Sequence, residues 1–313
     1  MGTPEFAVET LNALVENDYN VVAVVTQPDK PVGRHQTEMQ PSQVKQYAVA
    51  HGLPVLQPEK MKDPVFIEQL RSYNANLQVV VAFRMLPEVV WAMPEYGTFN
   101  VHAALMPQYR GAAPINWAVI NGETQTGVTT FFLDHDIDTG RIILKKTFDI
   151  PDEADVEYVY DGLMHLGAEI CLETLEAIVA ANGHPDSIPQ DSVLDGSAIK
   201  PAPKIFKETC EIDWKKTAKQ VYDFVRGLSP YPGAWTTLVA PDGKETVLKI
   251  YKTRKTGKPG KGVGTITIEG KALCVSAADE QLEIVELQLA GKKRMMARDF
   301  LNGMKQIEDY RVK

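Results

Sequence analysis

Asn100 and His102 stand two apart in the run TFNVH, residues 98–102. In an extended strand residues i and i+2 leave the same face, so an amide and an imidazole here address one point in space. The amide is a neutral donor for a developing oxyanion, and the ring is a donor or a proton carrier. A carboxylate is available in the Gly-terminated turn DHDIDTG at 134–140, where Asp134, Asp136 or Asp138 can reach toward His102 from between two flanking strands. Each feature also has a structural reading. A histidine near a strand end is often a hydrogen-bonded structural residue, and Asp-x-Asp in a turn often caps local backbone.

Other chemistries find no support. The chain has no G-x-S-x-G elbow, no G-x-x-x-x-G-K-S/T loop and no G-x-G-x-x-G run, which removes a serine nucleophile and the usual nucleotide-phosphate cradles. Asp134, His135, Asp136 and Asp138 are metal-ligand types, but four ligands within five residues of one turn give poor geometry, and no metal is expected. An amide, an imidazole and a carboxylate without a covalent nucleophile suit direct transfer of an acyl group between two bound substrates.

The elements that must position these groups alternate. Thr3-Pro4 reads as an N-cap and first-turn proline before an amphipathic helix, 19–25 as a buried strand, 42–50 as a helix and 53–56 as a strand. Residues 65–73 read as a helix and 77–82 as a strand. Val-rich runs between helices of about ten residues mark a doubly wound α/β domain with a mostly parallel sheet, which binds ligands beyond the carboxyl ends of its strands. A helix starting at residue 4 needs a preceding strand, of which Met1-Gly2 is only a stub, so the protein is expected to extend upstream and to leave a central strand position incompletely filled. Strands at 127–133 and 141–150 flank the DHDIDTG turn, and 156–181 is a long helix.

The chain's 313 residues exceed one ordinary core, and two domains are expected. Residues 1–182 form the catalytic domain, the Pro-, Gly- and Ser-rich segment 183–206 a linker, and 207–313 a small OB-like β-barrel of five short strands. Residues 1–200 hold 12 Lys and Arg against 27 Asp and Glu, whereas 201–313 hold 21 against 14, so a basic module follows an acidic one. Its clusters at 215–219, 252–261 and 292–298 suit phosphate backbones, or else form a solvated surface. Cys171, Cys210 and Cys274 are isolated, and no apolar run is long enough for a membrane span, as expected of a cytoplasmic protein.

The run NVHAALMPQYRGAAP at 100–114 resembles the N-x-H-x-S-L-L-P-x-Y-R-G-x-x-P loop of the folate-dependent formyltransferases, and DIDTG at 136–140 resembles their second motif. MGTPEFA at 1–7, TQPDKPVGR at 26–34, PKI at 203–205, LSPYPGAW at 228–235 and LAGKKRM at 289–295 extend the likeness over the whole chain. The resemblance implies formyl transfer from 10-formyltetrahydrofolate to the free amine of initiator methionyl-tRNA, by a monomer without a metal. It implies catalytic roles for Asn100, His102 and Asp138. It places Ala104, Leu105, Met106 and Pro107 against tetrahydrofolate, and Met85, Leu86 and Pro87 along the pterin. It puts Phe6 in the wall for the methionyl side chain and gives Arg34, Lys292, Lys293 and Arg294 to the tRNA. Phe6 can equally be a plain core aromatic.

The chain departs from the pattern at Ala104 (usually Ser), at Met106 (usually Leu), at Arg84 (commonly Gly), and in the loop HQTEM at 35–39, where a Lys-Lys pair is frequent. Two other readings stand beside this one: a formyltransferase acting on a nucleotide sugar or purine precursor, and a catalytically idle RNA-binding protein on the same scaffold.

Overall fold

The computed structural model describes residues 1–32, 38–194, 196, 198–304 and 306–313. The chain forms two compact units: Met1–Gly111 with Gln125–Asp149 and Tyr160–Pro201, and Ala112–Thr124 with Ile150–Val159 and Ala202–Lys313. The boundary at 201/202 lies within the segment 183–206 expected as a linker, and two excursions, 112–124 and 150–159, join the carboxyl-terminal unit. Packing explains the first of these. Ile120 of the helix Pro114–Ile120 lies against the carboxyl-terminal core, and a Cβ on Gly227 would meet Ile120 Cγ1 at 2.6 Å. A local apolar pattern does not reveal which core it joins.

The first unit contains α1 (Glu5–Glu16), β1 (Val24–Val25), α2 (Gln43–Ala50), β2 (Val55–Leu56), α3 (Pro64–Ser72), β3 (Gln78–Val81), β4 (Thr98–His102), β5 (Gln125–Phe132), β6 (Ile142–Asp149) and most of α4 (Val156–Ala180). The caps follow side-chain chemistry: Ser42 Oγ accepts from Lys45 N–H at the start of α2, and Asp63 accepts from Val65 N–H ahead of Pro64 in α3. For α1 the N-cap is Pro4 rather than Thr3, with no side-chain cap, because Pro4 is already extended and its missing N–H needs no partner. β1 pairs in parallel with β2 and β3 with β4, whereas β4–β5 and β5–β6 are antiparallel. The sheet is therefore mixed. A hairpin through DHDIDTG can only give antiparallel partners.

Met1 and Gly2 lie between β1 and β3. Gly2 N–H donates to Val25 C=O at 3.0 Å, and Val81 N–H to Met1 C=O at 2.9 Å. A cavity of about 510 Å³ adjoins them, lined among others by Leu11, Val22, Val24, Leu77, Val79 and Ile178. The strand expected over 19–25 is consequently only Val24–Val25, the part that has a partner on both sides.

The second unit contains α5 (Ala218–Gly227), opened by a Thr217/Gln220 capping box, and the strands β7 (Ala234–Val239), β8 (Glu245–Pro259), β9 (Ile266–Glu269), β10 (Ala272–Ser276), β11 (Glu280–Leu289) and β12 (Arg311–Val312). They form an antiparallel sheet in the order β9-β10-β11-β8-β7-β12, with Met295–Met296 paired to β11. The sheet curls until Thr265, beside β9, bridges Arg311 of β12. Its core is Trp214, Val221, Leu228, Ile250, Leu282 and Ile284.

Candidate active site

β4 carries Asn100 and His102 at the middle of the sheet, with Asn100 opposite Val80 and Phe131 and His102 opposite Thr129. Asn100 is half-buried, and its carboxamide has no hydrogen-bond partner among the described residues. A polar group placed part-way inside with no internal partner is available to a ligand. His102 is 7% exposed, edge-on to Phe131, and its Nε2 lies 2.9 Å from the Tyr109 carbonyl. A carbonyl only accepts, so Nε2 carries the hydrogen and Nδ1 is the nitrogen that takes up or releases a proton.

The loop after β4 is held from below. Thr129 Oγ, fully buried in β5, donates to Ala104 C=O at 2.6 Å and accepts from Met106 N–H at 3.0 Å. Lys145 Nζ of β6 donates to Met106 C=O, and desolvation holds this amine below the ordinary lysine range. The side chains of Ala104, Met106 and Pro107 are buried, Met106 beside Phe131 and Ile142. The Ala104 and Met106 substitutions therefore alter the packing of the loop and leave its backbone course defined by Thr129 and Lys145. Thr129→Val, which leaves two buried backbone groups without partners, is expected to lower stability by about 2 kcal/mol, measured as a shift in the urea midpoint at unchanged m-value.

Asp138 sits in the left-handed region at φ 55°. Its Oδ2 accepts from Gly111 N–H at 3.2 Å, and no hydrogen bond or ion pair among the described residues joins it to His102. The anticipated reach across to the imidazole is indirect. Asp138 binds Gly111, His102 binds Tyr109, and the two contacts share one three-residue stretch. Period-two reasoning places side chains along a strand but cannot give the distance between segments.

The remaining expected residues are scattered. Met85 is 73% exposed, whereas Leu86 is in the core with Val25, Phe66 and Val90, and Pro87 caps the short helix Glu88–Trp91. Of the three, only Met85 presents its side chain freely. Phe6 is 4% exposed, edge-on to Tyr160 at 5.5 Å and close to Gly167. Its side chain is buried on the inner face of α1. Arg84 donates to the Pro58 and Glu59 carbonyls, so its side chain is drawn toward that segment. Asp29, in the TQPDKP run, is bound by Lys45 at 2.6 Å and Gln57 at 2.7 Å, contacts that hold its carboxyl below the usual range. Arg34 lies outside the described residues.

In the second unit Lys292 and Lys293 are exposed. Arg294 is engaged. It binds Glu286 through Nε at 2.6 Å and Nη2 at 2.7 Å and stacks 4.1 Å from the Tyr251 ring centroid. Much of the 252–261 block is also paired, Arg254 with Glu283, Lys255 with Asp152 and Lys258 with Glu269. Sequence reasoning missed Thr129, Lys145 and the acids Glu283 and Glu286 on β11, since none of them stands in a local motif.

Residues 1–175 match the formyl transferase family and residues 204–305 the formyl transferase C-terminal domain. The chain is 59% identical to the methionyl-tRNA formyltransferase of Parabacteroides distasonis, covering 100% of this chain and 97% of that protein. It is 55% identical to that of Bacteroides fragilis, covering 100% and 96%. Among solved structures, the sugar 3N-formyl transferase WlaRD shares the fold, with a TM-score of 0.63 at 18% identity over 93% of this chain and 97% of that one. With identity sustained from end to end and both family models matched, the chain belongs to the methionyl-tRNA formyltransferase family.

Proposed function

We propose that this protein transfers the formyl group of 10-formyltetrahydrofolate to the free α-amine of initiator methionyl-tRNA, as a cytoplasmic monomer. The observation that carries the reading is the half-buried Asn100 amide, without a partner among the described residues, on the same strand face as His102, whose Nε2 is bound to Tyr109. The folate co-substrate supplies an activated formyl carbon. The residues fit such a group: Asn100 has a free donor, Met85 an exposed apolar side chain, and the loop 104–107 a course defined by Thr129 and Lys145.

Asn100 donates to the formyl oxygen as negative charge grows there. His102 Nδ1 takes the proton of the attacking amine and returns it to the leaving nitrogen. Asp138 Oδ2 holds the loop through Gly111, and its carboxylate is assigned the role of accepting a proton through water. Membership in the family supports the acceptor. The WlaRD likeness, at 18% identity, speaks for the fold alone and not for a nucleotide-sugar acceptor. Among the described residues no helix is long and apolar enough to cross a membrane.

The test is direct. Purified protein, 10-formyltetrahydrofolate and charged initiator tRNA are expected to yield formyl-methionyl-tRNA. No product with tRNA, together with turnover of an amino-sugar nucleotide, overturns the proposal.

Lys292 and Lys293, exposed and without acidic partners among the described residues, are proposed to meet tRNA phosphates, and Arg34 to meet the acceptor end. The Lys292→Ala/Lys293→Ala variant is expected to reduce the slope of log K against log salt by about 2, one per phosphate contact. Arg294→Ala changes the slope less, because its charge is already neutralised by Glu286. Binding titrations at several salt concentrations read both.

A further inference from the structure

Gln190 lies in the segment whose composition reads as a linker, yet it is 2% exposed. Its carboxamide is saturated. Oε1 accepts from Arg110 Nε at 3.1 Å and Nη2 at 2.7 Å, while Nε2 donates to the carbonyls of Asp138 at 2.9 Å and Gly140 at 2.8 Å. A guanidinium offers only donors and a carbonyl only acceptors, so the orientation of the amide is fixed by its neighbours. The segment around it is tied down as well. Ile188 pairs with Ile142 through two hydrogen bonds of 2.9 Å, Arg141 Nε donates to Ser187 Oγ at 2.9 Å, and Tyr109 N–H donates to Lys200 C=O at 2.7 Å.

We infer that Gln190 is a positioning residue for formyl transfer, joining the turn that carries Asp138 to the loop that fixes His102. The inference rests on the function proposed above. On one side it captures the carbonyl of Asp138, a non-glycine residue at φ 55°, a conformation that needs surrounding contacts to persist. On the other it holds Arg110, which stands between Tyr109, the acceptor for His102 Nε2, and Gly111, the donor to Asp138 Oδ2. Among the described residues no direct bond connects Asp138 to His102, so their relative placement is set by this bridge together with the Gly111–Asp138 contact. Neither Leu nor Glu serves both halves: Leu loses all four bonds, and Glu keeps Arg110 but sets a carboxylate against two carbonyls.

The test is a kinetic cycle on the full chain with formyl-folate and methionyl-tRNA, using Gln190→Leu, Asp138→Asn and the double variant, with Gln190→Glu assayed across pH. Gln190→Leu is expected to lower kcat at least about tenfold, as for an ångström-scale misplacement, with KM for the folate within about threefold. In the Asp138→Asn background the same change is expected to cost less than about threefold, because residues acting as a unit are non-additive. Gln190→Glu is expected to recover part of its kcat deficit relative to wild type as pH falls and the carboxyl regains a donor proton. Three outcomes overturn the inference: wild-type kcat in Gln190→Leu, a fully additive double variant, or a Gln190→Glu deficit independent of pH. If Gln190→Leu does not fold, Gln190→Glu decides alone. A wild-type protein that transfers no formyl group refutes the proposed function instead, which keeps the two failures distinct.

Discussion

Replacing Asn100 with Ala is expected to lower kcat by about 100- to 1,000-fold, the loss associated with removing one preorganised oxyanion donor, while folate binding changes little. The structure makes this substitution unusually clean. Asn100 is half-buried and its amide has no partner among the described residues, so truncation breaks no internal hydrogen bond and unfolding should shift little. Catalytic loss without stability loss is the signature of a group held for a ligand. Single-turnover rates at saturating donor, compared with a urea titration of the same variant, separate the two. A variant with wild-type turnover removes Asn100 from the chemistry.

The second large effect is on stability. In α5, Asp223 and Arg226 are both buried, with Arg226 Nε donating to Asp223 at 2.8 Å and Nη1 to Ala154 C=O at 2.8 Å. Lys219 also binds the Asp223 carboxylate, and a Cβ on Gly122 would approach Asp223 Oδ2 to 2.6 Å. Asp223→Ala strands a buried guanidinium with only carbonyl partners, and the expected cost is about 3–5 kcal/mol. The pair Asp223→Leu/Arg226→Met, which removes both charges, should recover most of that loss. Denaturant midpoints for the single and double variants measure it. Equal losses in both would mean that packing around α5, and not an uncompensated charge, dominates.

What the sequence made legible follows from what is local. Asn100 and His102 share a face because strands alternate with period two, and that required no tertiary information. The charge asymmetry between the two parts of the chain was likewise plain, but its meaning changes with the sheet register. β8 and β11 place Arg254 opposite Glu283 and Lys252 opposite Glu286, so a block that reads as basic along the chain is partly neutralised across strands. Gln190 was hidden for a different reason. Pro, Gly and Ser around it mark irregular backbone, and such a loop can be fixed by hydrogen bonds that no periodicity announces. Thr129 and Lys145 look like ordinary strand residues until the loop above them is seen. Leu86 and Phe6 are apolar residues inside recognisable motifs, and the degree of their burial follows from tertiary packing that no motif announces.

The central claim is that the formyl group passes directly between two bound substrates, with no covalent attachment to the protein. Initial rates measured while varying 10-formyltetrahydrofolate at several fixed concentrations of methionyl-tRNA test it most directly. Direct transfer requires both substrates to be present together, giving double-reciprocal lines that intersect, and protein incubated with labelled donor alone and then denatured should retain no label. Parallel lines with label bound in proportion to the protein would contradict the account.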